Sequence, residues 1–517
     1  MFKKLNARLV FLLILLIIYN FFFWKEKLGL NFLIFSVLVA VSVISLNPGS
    51  LKSTKVILML IAVTYTGTMV IINNSVFSKL ALFISLMLLT GYAHQPQLRS
   101  LFASFGTYVV SNLMIPAVVM EGIIKGKDRS RVFRFIFKII KLGVIPVIVF
   151  LIFYLLYEFA SVKFDFYSGI VIQEIGEFLY KIFIDYPFIR FMFIFMGFVL
   201  LIGVLYNSKI TFFKDLDIKF RERLLRDKFK KLVWLHADKK HIPLNRRINI
   251  FSTKINSLLT EQKIGIILLA LVNLLTLSFN IIDIKFLWLN FNPTEVTGFK
   301  LYVHEGAYTL IFSIVLSMLI IMYYFRGNIN FYKRNYTIKI LAYIWMAQNA
   351  FMTISVVLRN YYYISYTQTI TYKRIGLMIY LLLTFIGLVT MILKIAQKRT
   401  GYNIFKSNAW AVFIVLMMMC SFNWDKNIAE HNLSASNPYD ADIAYLLELS
   451  DDVLPVLFEK NELMNRSFLI PRSTKGKPVI AREYFDKRLE KFMKEQNSYT
   501  WLSWNLSDKT VIDYFHK

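Results

Sequence analysis

Residues 339–374 read KILAYIWMAQNAFMTISVVLRNYYYISYTQTITYKR, and the reading of this stretch decides the fold. From Ile338 to Leu358 the only charge is Lys339, at the very start, and that length is about what is needed to cross roughly 30 Å of hydrocarbon. Gln348 and Asn349 fall at the midpoint. At about 3.6 residues per turn, Trp345, Gln348, Met352, Ser355 and Arg359 share one stripe, with Asn349, Thr353 and Asn360 beside it. An amide facing lipid leaves its hydrogen-bonding groups unpaired at a cost of several kcal/mol, so this face is expected to look into protein or water.

The rest of the chain has the same character. Of 517 residues, 57% are hydrophobic and only 18% charged, and the charges are gathered in gaps between long apolar blocks. That is the composition of a polytopic membrane protein rather than of a soluble one with interleaved charge. In a soluble chain the net charge of +28 would suggest nucleic acid. Here it follows from the excess of Lys and Arg that cytoplasmic loops carry, and no nucleic-acid partner is expected. The single cysteine, Cys420, excludes an intrachain disulfide and a thiolate zinc site, and no cofactor is implied. Heavy use of Lys, Ile, Asn and Phe fits a bacterial source of low GC content.

Working outward, the sequence predicts an all-α bundle of about eleven transmembrane helices. Lys3, Lys4 and Arg8 precede LVFLLILLIIYNFFFW, a first span with no cleavage site after it, which places the N-terminus in the cytoplasm. Further spans are Leu28 to Leu46, Val56 to Ile72, Phe77 to Tyr92, Leu142 to Ala160 and Ile189 to Tyr206. Residues 101–123, interrupted by Pro116, are read as re-entrant or interfacial, and Gly169 to Asp185 as an amphipathic helix on the outer surface. Ile264 to Ile282, Val303 to Phe325, Ile338 to Leu358, Ile375 to Ile395 and Ala409 to Trp424 complete the set. The domain organisation expected is a bundle over 1–424 and a small helical extracytoplasmic tail over 425–517.

Residues 207–263 carry 15 Lys or Arg against six Asp or Glu, which makes this segment cytoplasmic. Within it FRERLLRDKFKKLVWL is expected to form a basic amphipathic helix resting on anionic lipid headgroups. In the tail, Ser450 is expected to cap DDVLPVLFEK, a second helix to run from Ile480 to Glu495, and the tryptophans of WLSWNLS to be covered.

Candidate binding residues lie around the ninth span and the outer mouth: Gln348, Asn349, Ser355, Arg359, Asn360, Tyr363, Lys373, Arg374, His304 and Glu305. Arg359 is read as snorkelling from a helix end, and the tyrosines from Tyr361 to Tyr372 as a loop in an interfacial aromatic belt. Lys373 and Arg374 break the positive-inside pattern and suit an anionic partner outside. His304 and Glu305 do not make a zinc-peptidase helix, since Tyr308 stands where a histidine is needed, and His236 and His241 do not share a helical face.

The strings VHEGAYTLIFSIVLSM, LAYIWMAQNAFMTISVVLRNYYYISYTQTITYKRIG, SNAWAVFIVL, FNWDKNIAEHNL, LSDDVLPVL and WLSWNLS resemble the bacterial multi-pass family catalogued as domain of unknown function 4173. The resemblance covers mainly residues 265–510, with 265–424 as its membrane core, and implies an integral membrane protein without an assigned reaction or catalytic residues. The leading expectation is a protein of the bacterial cytoplasmic membrane acting in transport or envelope maintenance, with a polar site on the ninth span. The alternatives are a transferase using a lipid-linked donor gripped by Arg359, Lys373 and Arg374, and a scaffold or sensor coupling the tail to the 207–263 loop. No enzyme chemistry is assigned, and the substrate stays an unspecified small molecule or lipid-linked group.

Overall fold

The computed structural model describes residues 2–113, 146, 150, 153–154, 157–158, 162–182, 186–206, 211–226, 244–289, 299–434, 441–465, 467–469 and 478–516. Most of the expected span Leu142 to Ala160 lies outside them, as do Lys125 to Arg134, His236, His241 and the segment 290–298.

The chain is an all-α membrane bundle. Among the described residues seven helices are long and apolar enough to cross a bilayer, not eleven: Thr54–Asn73, Val76–His94, Phe188–Leu205, Leu258–Leu289, Tyr336–Thr367, Tyr372–Gln397 and Gly401–Met419. Three further expected spans correspond to shorter apolar helices, Ala7–Phe23, Leu30–Leu46 and Thr309–Tyr324. The many large side chains exposed along these helices, such as Leu275, Phe312 and Phe405, are the surface that lipid covers. Two compact units divide the chain: residues 1–218 with 416–429 and 442–517, and residues 219–415 with 430–441.

The first unit opens with α1 (Phe2–Phe23), α2 (Leu30–Leu46), α3 (Thr54–Asn73), α4 (Val76–His94) and α5 (Leu101–Leu113). It continues with α6 (Val162–Ile182), α7 (Tyr186–Leu205) and α8 (Phe212–Lys219). A core of Leu12, Leu15, Tyr19, Phe35, Val39, Tyr108 and Leu201 joins α1, α2, α5 and α7. The approach of α5 to α4 requires Gly91, because a Cβ there would lie 2.1 Å from the carbonyl oxygen of Ser104. At one end Asp217 of α8 closes the loop after α4. Its carboxylate accepts from Ser100 Oγ at 2.9 Å, and the Arg99 guanidinium donates to the Asp217 carbonyl.

At the other end the C-terminal residues pack on this unit. They form α15 (Ile443–Glu448), α16 (Leu454–Glu459), α17 (Ala481–Ser498) and α18 (Leu506–Phe515), with an antiparallel pair β1 (Ser467–Leu469) and β2 (Pro478–Ile480). Phe485, Phe492, Leu446, Leu457 and Val511 are buried in the core between them. The Leu30 amide donates to the Trp504 carbonyl at 2.9 Å, Glu26 accepts from the Thr500 amide at 3.1 Å and from Ser503 Oγ at 2.5 Å, and Asn73 Nδ2 donates to the Cys420 carbonyl at 3.0 Å. Two expectations fail here. Ser450 makes no capping hydrogen bond: it precedes a 3-10 turn over Asp451–Val453, and α16 begins only at Leu454 with Pro455 in its first turn. Trp501 and Trp504 are 64% and 43% exposed, because Leu502 and Ser503 are the residues of this turn that face inward.

The second unit holds α9 (Leu244–Asp283), continued by a π-helical turn Ile284–Leu289, then α10 (Phe299–Tyr324), α11 (Tyr336–Thr367), α12 (Tyr372–Gln397), most of α13 (Gly401–Met419) and the end of α14 (Trp424–Leu433). Its core gathers Leu269, Ile321, Phe325, Ile338, Ala342, Trp345 and Met391. The basic segment departs from expectation: residues 221–226 are not helical, and 227–243 lie outside the described residues. Instead the Leu224 amide donates to the Lys398 carbonyl at 2.8 Å and the Thr400 amide to the Glu222 carbonyl at 3.0 Å, so backbone pairing around Arg223 and Arg399 replaces the intrahelical bonds. The tyrosine-rich stretch also differs, being the last two turns of α11 rather than a loop.

Candidate functional site

The site is built on α9 and α11, which run parallel. Asn273 Nδ2 donates to the Leu341 carbonyl at 3.0 Å, Trp345 Nε1 to Thr276 Oγ1 at 3.1 Å, Asn280 Nδ2 to the Gln348 carbonyl at 3.2 Å and Trp288 Nε1 to Ser355 Oγ at 3.1 Å. Both partners advance together along the sequence, which is what parallel neighbours require. Asn273, Thr276, Asn280 and Asp283 recur at spacings of three and four, one face of α9, so these bonds form a continuous polar seam in a membrane bundle.

At the far end of the seam Arg359 and Asp283 are ion-paired in direct contact, each 4% exposed. Arg359 therefore does not snorkel from a helix end. α11 continues to Thr367, and the guanidinium turns inward to α9, 5.9 Å from the centroid of the Phe279 ring. The indole of Trp288, which binds Ser355, stacks on Phe351 at 5.3 Å.

The next residue, Asn360, is fully buried and holds Arg374 at the start of α12: its Oδ1 accepts from Nη1 at 3.3 Å. The Arg374 guanidinium sits 3.5 Å from the centroid of Tyr363, a cation–π contact. Arg374 is thus folded into the protein, whereas Lys373 beside it is exposed. Asn432 fixes the connection between α11 and α12 by accepting from the Ile370 amide at 2.7 Å and donating to its carbonyl at 3.0 Å.

The expected residues therefore separate. Ser355, Arg359, Asn360, Tyr363 and Arg374 lie toward one end of α11, and Gln348 and Asn349 stand eleven residues below Arg359 and Asn360 on the same helix, about 16 Å at 1.5 Å per residue. Asn349 is 1% exposed and its Nδ2 donates to the Trp345 carbonyl at 2.7 Å. The backbones of His304 and Glu305 belong to α10, and their side chains lie outside the described residues. The sequence reading missed Asp283, because it ended the seventh span at Ile282. The signal that finds it is the three-and-four spacing of Asn273, Thr276, Asn280 and Asp283.

Four buried amide oxygens, those of Asn273, Asn280, Gln348 and Asn349, accept no hydrogen bond among the described residues. The donor ends of Asn273, Asn280 and Asn349 are all engaged by backbone carbonyls, which fixes their oxygens as the open ends. The seam consequently offers acceptors and an acid. No group of three or more His, Cys, Asp or Glu with metal-ligand geometry occurs among the described residues.

Residues 10–459 match the family described as Domain of unknown function (DUF4153). This corrects the resemblance to domain of unknown function 4173: the match begins in the first span and stops before WLSWNLS, while the strings that suggested the other family lie mainly within 265–510. No curated protein and no solved structure matches the chain. With seven long apolar helices among the described residues and a match over most of its length, this multi-pass membrane protein belongs to the DUF4153 family.

Proposed function

We propose that the protein transports a proton or a monovalent cation across the membrane along the α9–α11 seam, with Asp283 as its ionisable group. The observation that carries this reading is the row of buried amide oxygens leading to the Asp283–Arg359 pair. Oxygen acceptors replace a cation's hydration shell, and ionisable residues inside membrane spans mark ion and proton pathways. An apolar pair would pack two helices as well as a buried ion pair does, so packing alone gives no reason for the charges. Protonation of Asp283 would release Arg359 and loosen α9 from α11.

The orientation adopted follows the positive-inside rule: N-terminus and residues 207–263 in the cytoplasm, residues 425–517 outside, in the cytoplasmic membrane of a bacterium. With the three shorter helices and the span expected over Leu142 to Ala160, the crossings come to eleven. The 207–263 segment then faces anionic headgroups. The lipid-linked transferase reading is less well supported, because Arg359 and Arg374 are both turned inward, where a donor phosphate outside does not meet them.

The test is flux in proteoliposomes holding the purified chain, with a pH-sensitive or sodium-sensitive dye inside. Cation entry that is lost in Asp283→Asn and Asn349→Leu, at normal protein content, supports the proposal. Vesicles with the native chain no leakier than empty ones under proton and sodium gradients overturn it.

A further inference from the structure

The first unit contains a cavity of about 340 Å³ between α1, α2, α4, α5 and α7 that the seam does not use. Its walls are apolar, with Phe23, Phe32, Met87, Phe193, Leu200 and Val204 among them, and its one charged lining residue is Glu26, at the α1–α2 turn. That carboxylate is already taken up by the Thr500 amide and Ser503 Oγ. An apolar cavity stays dry, so in a membrane protein hydrocarbon is what fills it. Along α7 the lining runs from Phe193 to Val204, about 16 Å at 1.5 Å per residue, which is one leaflet of a hydrocarbon core roughly 30 Å thick.

A cation stands where that chain's headgroup would lie. Arg190, on α7 and one turn beyond Phe193, is exposed, bonds Asn20 Oδ1 through Nε at 3.3 Å and sits 5.7 Å from the Trp24 ring, leaving the remaining guanidinium donors toward the surface. Lys25 is exposed on the same turn. A fork of N–H donors beside a tryptophan at the end of an apolar slot matches a phosphodiester headgroup.

We infer that this cavity holds one acyl chain of an anionic phospholipid from the adjacent leaflet, with its phosphate on Arg190. The bilayer already solvates acyl chains, so retention depends on packing against the aromatic walls and on the headgroup charge, not on escape from water.

The experiment is native mass spectrometry of the full-length chain in detergent doped in turn with dioleoyl phosphatidylglycerol, dioleoyl phosphatidylcholine and a long-chain polyisoprenyl phosphate. The expected result is one phosphatidylglycerol retained per chain in preference to the other two. Arg190→Gln should weaken retention about tenfold, as loss of one charge-assisted contact does. Leu200→Trp should abolish it at an unchanged melting temperature, and if that variant fails to fold, Met87→Phe fills the cavity from α4. A native chain that strips to no lipid, variants that retain as much as the native chain, or preferential retention of the polyisoprenyl phosphate each overturn the inference.

Discussion

Lys27 and Asp508 are 481 positions apart in sequence, and Lys27 Nζ donates to both carboxylate oxygens, at 2.9 and 2.8 Å. Asp508 also accepts from Asn505 Nδ2 and Gln496 Nε2, at 2.8 and 2.9 Å, so one carboxylate collects the α1–α2 turn, α17 and α18. Lys27→Ala should remove about 1–3 kcal/mol of this docking, the usual range for a hydrogen bond to a charged group with one partner left buried. Limited trypsin digestion checks it: cuts in α17 should appear earlier in Lys27→Ala and keep the native pattern in Lys27→Arg.

Asp452, in the 3-10 turn before α16, should make this docking sensitive to pH. Burial holds its carboxyl above the ordinary carboxylate range, Ser507 and Asn423 lower it through hydrogen bonds, Asp508 raises it and Lys27 lowers it, with burial the largest influence. A carboxyl whose folded pKa is raised gives stability that is complete below its unfolded pKa, about 3.9, and is lost as pH climbs through the folded value. The melting temperature followed by tryptophan fluorescence should fall over that window in the native chain and flatten in Asp452→Asn.

Breaking the Asp283–Arg359 pair from one side should be costly. Arg359→Met leaves a carboxylate buried without its counter-charge, a loss of about 3–5 kcal/mol, while Asp283→Leu with Arg359→Met should recover most of the stability. Thermal unfolding in detergent separates the two variants. Flux should be absent from both, which distinguishes a transport role from a structural one.

Cys420 should be unreactive in intact membranes. It is fully buried and its Sγ lies 2.9 Å from the Met417 carbonyl, so a water-soluble reagent does not reach the sulfur. A membrane-impermeant maleimide should leave the native chain unlabelled. A cysteine introduced at exposed Lys491 should react from outside the cell if residues 425–517 are extracytoplasmic, and only after lysis if they are not.

Most helices were legible because a membrane imposes one rule on every span, and apolar length reports it. The limits of α11 were less so: Tyr361 to Thr367 are polar enough to read as a loop, yet their backbone continues the helix and buries Arg359 two turns from its end. The burial of Asn349, Ser355, Arg359 and Asn360 on α11 follows from their spacing along one face. Asp283 was missed because the apolar run stops at Ile282, although its spacing from Asn273, Thr276 and Asn280 puts it on the same face of α9. The contacts of Glu26 and Lys27 with residues near the other terminus leave no local pattern either, because each is an ordinary charged residue in a short turn.

The parallel course of α9 and α11 bears on biosynthesis. Asn273 and Asn280 meet backbone partners 68 residues later in the chain, so α9 leaves the insertion machinery before its partner has been made. At about 5–20 residues per second that interval lasts several seconds, during which three polar side chains and Asp283 sit in or beside lipid without their eventual neighbours. Nascent α9 is therefore a point at which an insertion chaperone, or a quality-control protease, has time to act.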